Sequence, residues 1–265
     1  KVSKYGDLNQ LSNFKRLVND ILSERPIMQL NLNLEIDVMF NELERNREFA
    51  TIANYICYFK NRQQGLTSWG DKTPWYITEL PLLLELYPAA KFVYIVRDGR
   101  DVAFSLLQKN WGPNNIWACA QLWQQYNQQH QALIQELIQS GQCLYVRYED
   151  ILANIQPELT RIYAFLETDI NKETIEKYSK SMMKNNALKW KKNFTPEQIQ
   201  VFDEVAKDAL VEHGYEVTSS PKSISFIQKI RFQLHEAVCR AWYLFHLNVI
   251  DGFKIKFLGK PPFGE

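Results

Sequence analysis

Apolar side chains recur at helical spacing along most of this chain. Residues 7–23 set Leu11, Phe14, Leu17, Val18, Ile21 and Leu22 on one face, which predicts a helix with Asp7 as its cap. The same period over 33–61 predicts two further helices, and WYITELPLLLEL (75–86) reads as another despite Pro81. The pattern then changes. Phe92-Val93-Tyr94-Ile95-Val96 is apolar at every position, the mark of a parallel strand buried on both faces. The polar run Arg97-Asp98-Gly99-Arg100-Asp101 follows at once, and the Asp98/Asp101 spacing predicts a capped helix over 99–109.

Residues 115–139 carry the strongest helical stripe, from Ile116 through Cys119, Ala120, Trp123, Tyr126, His130, Leu133 and Ile134 to Leu137. A second short strand is expected at Cys143-Leu144-Tyr145-Val146, with amphipathic helices over 157–167 and 196–212, the latter opened by Thr195-Pro196-Glu197. Strands separated by helical segments argue for an α/β fold with a parallel sheet flanked by helices. We divide the chain into a main domain, 1–218, and a C-terminal helical extension, 219–265. The extension follows a Ser-Ser-Pro break, and positions 224–250 fit one amphipathic helix. Packing on the domain is preferred for it over contact with a partner or a membrane surface.

Composition narrows the classes. The chain has 265 residues, 46% of them hydrophobic, with a net charge of +1. That supplies a core and argues against generic electrostatic binding to nucleic acid. Cys57, Cys119, Cys143 and Cys239 show no metal-ligand spacing and read as thiols of a reducing compartment. No apolar run reaches the ~20 residues that span a bilayer. Ten scattered glycines offer no phosphate loop.

Chemistry is sought at the carboxyl ends of the strands. Arg97, Ser105 and the intervening helix N-terminus suit a phosphate. An ordinary Arg97–Asp101 pair, with Ser105 merely exposed, explains the same pattern equally well. In Trp69-Gly70-Asp71-Lys72-Thr73-Pro74, a turn leads into the helix near Trp75, with Thr73 as a possible cap and Lys72 beside its N-terminus. That lysine suits a transferring anionic group, or is a solvated loop lysine. Tyr148, after the second strand, is placed to stack on a base, or is a rim aromatic. Lys184 to Lys192 gathers four lysines around Trp190, either a solvated face or a basic flap.

The order of these pieces carries a resemblance. Lys72-Thr73-Pro74, FVYIVRDGRDVAFS (92–105), YVRYED (145–150) and WKKNFTPEQIQVFDEVAKDAL (190–210) resemble sulfotransferases that use 3′-phosphoadenosine 5′-phosphosulfate (PAPS). The resemblance implies a sheet like that of P-loop nucleotide-binding proteins. It implies PAPS as sulfuryl donor, adenosine 3′,5′-bisphosphate (PAP) as product, and no metal. By the same resemblance, Arg97 and Ser105 hold the 3′-phosphate, Tyr148 contacts the adenine and Lys72 lies by the sulfuryl group. Lys184 matches one residue of a further 3′-phosphate stretch. The acceptor, whether small molecule, glycan or peptide, is not legible, although the helices before residue 66 and segment 108–117 are expected to border it, with Trp111 and Trp117 read as packing in preference to an apolar or sugar-stacking wall.

Pro74 stands where the cytosolic branch has its histidine. The K-T-P form resembles the bacterial, tyrosylprotein and heparan-type branches, which take a carboxylate base near their phosphosulfate loop. That loop and base are not in this sequence, so we expect a further strand–loop–helix of roughly 30–60 residues before Lys1. A cytoplasmic location is expected over a Golgi-type lumenal one. Two other readings stay open, a degenerate sulfotransferase-like binding or scaffold protein and a kinase-like nucleotide phosphotransferase.

Overall fold

The computed structural model describes residues 2–28, 30–44, 46–66, 68–169, 171–181, 186–220, 222–246 and 249. The chain divides into two compact units, Lys1–Ala90 and Lys91–Glu265. The first is helical: α1 (Leu11–Leu22), α2 (Arg25–Met28), α3 (Ile36–Glu42), α4 (Phe49–Gln63), a 3₁₀ turn (Pro74–Glu79) and α5 (Leu80–Leu86). Phe14, Leu17 and Val18 of α1 meet Met39, Ile52 and Ile56 in its core. Two expectations change here. The first helix begins at Leu11, with no side-chain cap, because Asp7 instead accepts from the backbone of Asn9 in a turn. Pro81 does not break one long helix; a 3₁₀ turn gives way to α5 just ahead of it, so the ring falls in the first turn, where no N–H is missed.

The second unit runs β1 (Phe92–Val96), α6 (Gly99–Leu106), α7 (Ile116–Gln128), α8 (Gln131–Gln139), β2 (Cys143–Arg147), α9 (Tyr148–Ala153), α10 (Ile155–Phe165), α11 (Lys172–Ser181), α12 (Trp190–Asn193), α13 (Pro196–Glu212) and α14 (Phe226–Phe245). The strands pair in parallel, Phe92 opposite Cys143 and Val96 opposite Arg147. This is a parallel α/β arrangement, rich in helix. The strand at 92–96 forms as expected, yet Ile95 is 49% exposed, so it is not buried on both faces. Only two strands pair among the described residues.

The stripe over 115–139 is divided between α7 and α8. His130 sits in the left-handed region, φ 59°, and turns the chain between them. The break lets α7 pack on α13 while α8 packs on β2. Trp123 and Ala120 of α7 meet Phe202, Ala206 and Ala209 of α13 in the unit's core. The start of α13 is a complete capping box between Thr195 and Gln198. In the extension, the helix covers Phe226–Phe245, opened by a capping box at Ser225 and Gln228. It packs on α7 by stacking Phe232 on Trp117, so Trp117 is a packing residue.

Candidate functional site

The register of the two strands builds the site. Val96 pairs with Arg147, so the next residue of each chain, Arg97 and Tyr148, emerges at the same carboxyl edge. The guanidinium of Arg97 lies over the Tyr148 ring, 4.9 Å from its centre. The Trp123 indole donates to the Arg97 carbonyl at 3.1 Å and fixes its backbone. Arg97 Nη2 donates to the carbonyl of Asn186 at 2.6 Å, and the Asn186 amide donates to the Tyr148 hydroxyl at 2.8 Å. Arg97 Nε is buried and has no partner among the described residues. Buried N–H groups are nearly always paired, so this one calls for an acceptor.

The loop behind Arg97 is held by buried charge. Arg100 donates through Nε and Nη2 to both oxygens of Asp98 at 2.9 Å, and through Nη1 to Asp203 at 3.2 Å and to the Glu216 carbonyl at 2.9 Å. Its guanidinium also lies 3.9 Å from the ring centre of Trp190, whose indole N–H donates to Asp98. Asp203 accepts in turn from the backbones of Thr218 and Ser219. All of Asp98, Arg100, Asp101 and Asp203 are buried. Each charge here is paired and hydrogen-bonded, the condition under which such burial is tolerated. Gly99 is required for close approach, since a Cβ there would meet Trp123 and Phe202 at 2.5 and 2.6 Å.

The Asp98/Asp101 spacing is realised only in part. Asp98 does cap α6, accepting from Arg100 N–H at 2.9 Å. Asp101 does not reach back to the cap. Its two oxygens accept from the N–H groups of Leu188 at 2.6 Å and Trp190 at 3.1 Å. The Asp98 N–H instead donates to Glu149 at 3.0 Å. Glu149 also accepts from the Tyr215 hydroxyl at 2.8 Å. Burial, with the Glu149 charge beside it, pushes the Tyr215 hydroxyl far above its ordinary range, so it remains a donor. The first turn of α6 is thus capped from within the protein. The helix also ends at Leu106 rather than 109.

The remaining candidates fall as follows. Ser105 is exposed in the last turn of α6, on the same helix face as Asp101. Arg97 does stand 3.9 Å from Asp101, so the ion-pair reading and the anion-site reading share one residue. Lys72 belongs to the first unit and is exposed. Its N–H donates to the Asp71 carboxylate, which also accepts from the Tyr76 hydroxyl. Thr73 makes no side-chain cap to the 3₁₀ turn, which begins with Pro74. Lys184 lies outside the described residues.

Sequence reasoning missed Asn186, which sits in a polar stretch without periodicity. It also missed Asp203, although a signal was present: an aspartate among Val201, Phe202 and Ala206 on the apolar face of a helix needs a buried partner.

A family model described as the Sulfotransferase family matches residues 14–172. It reaches back through the helices before residue 66 and stops short of the Trp190 segment. Similar curated proteins include a putative protein-tyrosine sulfotransferase of Caenorhabditis briggsae, 24% identical over 177 residues, 58% of this chain and 63% of that protein. A putative protein-tyrosine sulfotransferase of Caenorhabditis elegans is 25% identical over 158 residues, 51% of this chain and 61% of its own. Protein-tyrosine sulfotransferase A of Caenorhabditis elegans is 24% identical over 177 residues, 57% of this chain and 46% of its own. Each match spans less than two thirds of the relative's length.

Proposed function

The chain belongs to the sulfotransferase family, and on that premise we propose that it transfers a sulfuryl group from PAPS to an acceptor hydroxyl or amine. The observation that carries the reading is the buried Arg97 Nε, which has no partner among the described residues, beside the Tyr148 ring at the strand ends. A phosphate oxygen supplies the missing acceptor there, and a fixed tyrosine ring offers a face to a base. PAPS supplies the activated sulfuryl group when bound.

On this reading the residues of the chain bind and orient. Arg97 and Ser105 hold the 3′-phosphate, with Lys184 as a further contact. Tyr148 carries the adenine. Lys72 neutralises charge at the transferring group. Such a reaction leans on positioning and charge neutralisation. The names of the relatives make a tyrosyl hydroxyl in a polypeptide the first acceptor to try.

The direct test is isothermal titration of the full chain with PAP. Binding that Arg97→Ala weakens is expected. No binding, or equal binding by Arg97→Ala, overturns the assignment.

A further inference from the structure

The strand ends carry two arginine–tyrosine pairs, Arg97 over Tyr148 at 4.9 Å and Arg147 over Tyr215 at 4.7 Å, and only the first belongs to the site above. Successive residues of extended backbone point to opposite faces, and Arg147 is still extended, φ −87° and ψ 133°. Tyr148 therefore turns to Arg97, while Arg147 turns to the face shared by Tyr94 and Tyr145, which are register partners. On that face the two strands, α8 and the end of α13 border a cavity of about 440 Å³. That volume lies in the range of small-molecule sites.

The walls are mostly flat rings. Tyr145 and His213 stack at 5.8 Å with 10° between their planes, and Tyr94 stands 5.9 Å from Tyr145. Ile134 and Ile138 of α8 add an aliphatic wall. The tyrosine hydroxyls are already engaged, that of Tyr145 at 3.2 Å from His213 Nδ1 and that of Tyr94 donating to Asn127 at 3.0 Å. The cation is not. Arg147 makes no ion pair among the described residues. Its Nε is buried and has no hydrogen-bond partner there, so it too calls for an acceptor. The acid on the rim, Glu212, is exposed and already accepts from the Gln131 amide.

Charge and shape together choose the occupant. The edge of a guanidinium matches a carboxylate. Ring faces and isoleucines favour a flat apolar body. A bare phosphate would answer the cation and leave the walls wet. A neutral ring would cover the walls and leave Nε unpaired. We propose that this cavity is a second ligand site and takes a small aromatic carboxylate, its acid group on Arg147 and its ring against Tyr94, Tyr145 and His213. The inference does not rest on the nucleotide reading.

The test is a ligand-observed NMR titration of the full chain with 2-naphthoate, and with 2-naphthamide as its uncharged counterpart. For a probe of this size the naphthoate Kd is expected on the order of 1 mM. The amide should bind roughly tenfold or more weakly, and Arg147→Gln should weaken naphthoate by the same factor. Ile138→Trp fills the cavity without touching the charge. It should also lower naphthoate affinity about tenfold or more, and it serves if Arg147→Gln melts early. Arg97→Ala should leave naphthoate binding within about twofold. Neither inorganic phosphate nor PAP should displace the probe. No binding at about 10 mM naphthoate, equal binding of the amide, equal binding by the folded cavity variants, or displacement by phosphate or PAP would overturn the proposal.

Discussion

Asn186 touches both Arg97 and Tyr148: its carbonyl accepts from the Arg97 guanidinium at 2.6 Å and its amide donates to the Tyr148 hydroxyl at 2.8 Å. One residue, 89 positions away from Arg97, therefore sets the spacing of the cation and the ring. The two contacts differ in strength. Hydrogen bonds to a charged group contribute about 1.5–3 kcal/mol and neutral ones about 0.5–1.5 kcal/mol. Arg97→Ala should thus weaken PAP binding by roughly 10- to 150-fold, and Asn186→Ala by roughly 2- to 10-fold. Titration calorimetry on both variants and their double checks the order. A larger loss from Asn186→Ala would mean that Arg97 does not hold the phosphate.

On the proposed reading, Lys72 separates binding from turnover. If it acts only on the transferring group, Lys72→Ala should leave PAP affinity within about twofold while lowering kcat by roughly 10²- to 10³-fold, the usual cost of losing one charge-stabilising donor. Steady-state rates beside calorimetry read the split. A matching loss of affinity would move Lys72 into the binding machinery.

The buried network predicts a stability effect without ligand. Asp203→Ala removes one carboxylate from Arg100 and strips the Thr218 and Ser219 amides of their acceptor. Breaking a buried pair from one side costs about 3–5 kcal/mol. Urea unfolding followed by fluorescence should show a clear drop in midpoint. Replacing exposed Asp208 on the same helix should cost under about 0.5 kcal/mol.

His213 gives the second unit a pH dependence. It is buried between Tyr145, whose hydroxyl lies 3.2 Å from Nδ1, and Trp123. Burial first, and the nearby Arg147 charge as well, hold its pKa below the ordinary value of 6.5. The folded state therefore binds this proton less readily than the unfolded chain. Above the unfolded value both states are neutral and nothing is lost. As pH falls below about 6.5, the unfolded chain takes up the proton first, and stability declines until the folded pKa is reached. His213→Gln should flatten that part of the urea-midpoint profile, and an unchanged slope would remove His213 as its source.

What the sequence made legible was whatever is local. The apolar run 92–96, the arginine that closes it, and the Thr195 start of α13 each depend on neighbours within a few residues. The break at His130 was hidden because no Gly or Pro announces it; packing on two different partners, α13 and β2, enforces the left-handed turn. The exposure of Ile95 was hidden because an apolar run does not say what packs on each face of the sheet. The family motifs did point to Arg97, Tyr148 and Ser105 as candidates, but not to the residues that hold the loop. Asp101 shows the difference. Its place in the motif suggested a cap, yet its partners lie almost ninety residues on.

That separation bears on when the site comes into being. Asp101 is 87 and 89 residues from the amides it binds, and Arg100 is 103 from Asp203. Contacts across such loops carry the largest closure entropy and form only when much of the chain is already in place. The segment from Arg97 to Asp101 and Asn186 therefore cannot be pre-assembled by the first half of the unit as it emerges. On the proposed reading, competence for nucleotide is acquired late, with the docking of α13, and any event that loosens that helix dismantles the site at a distance.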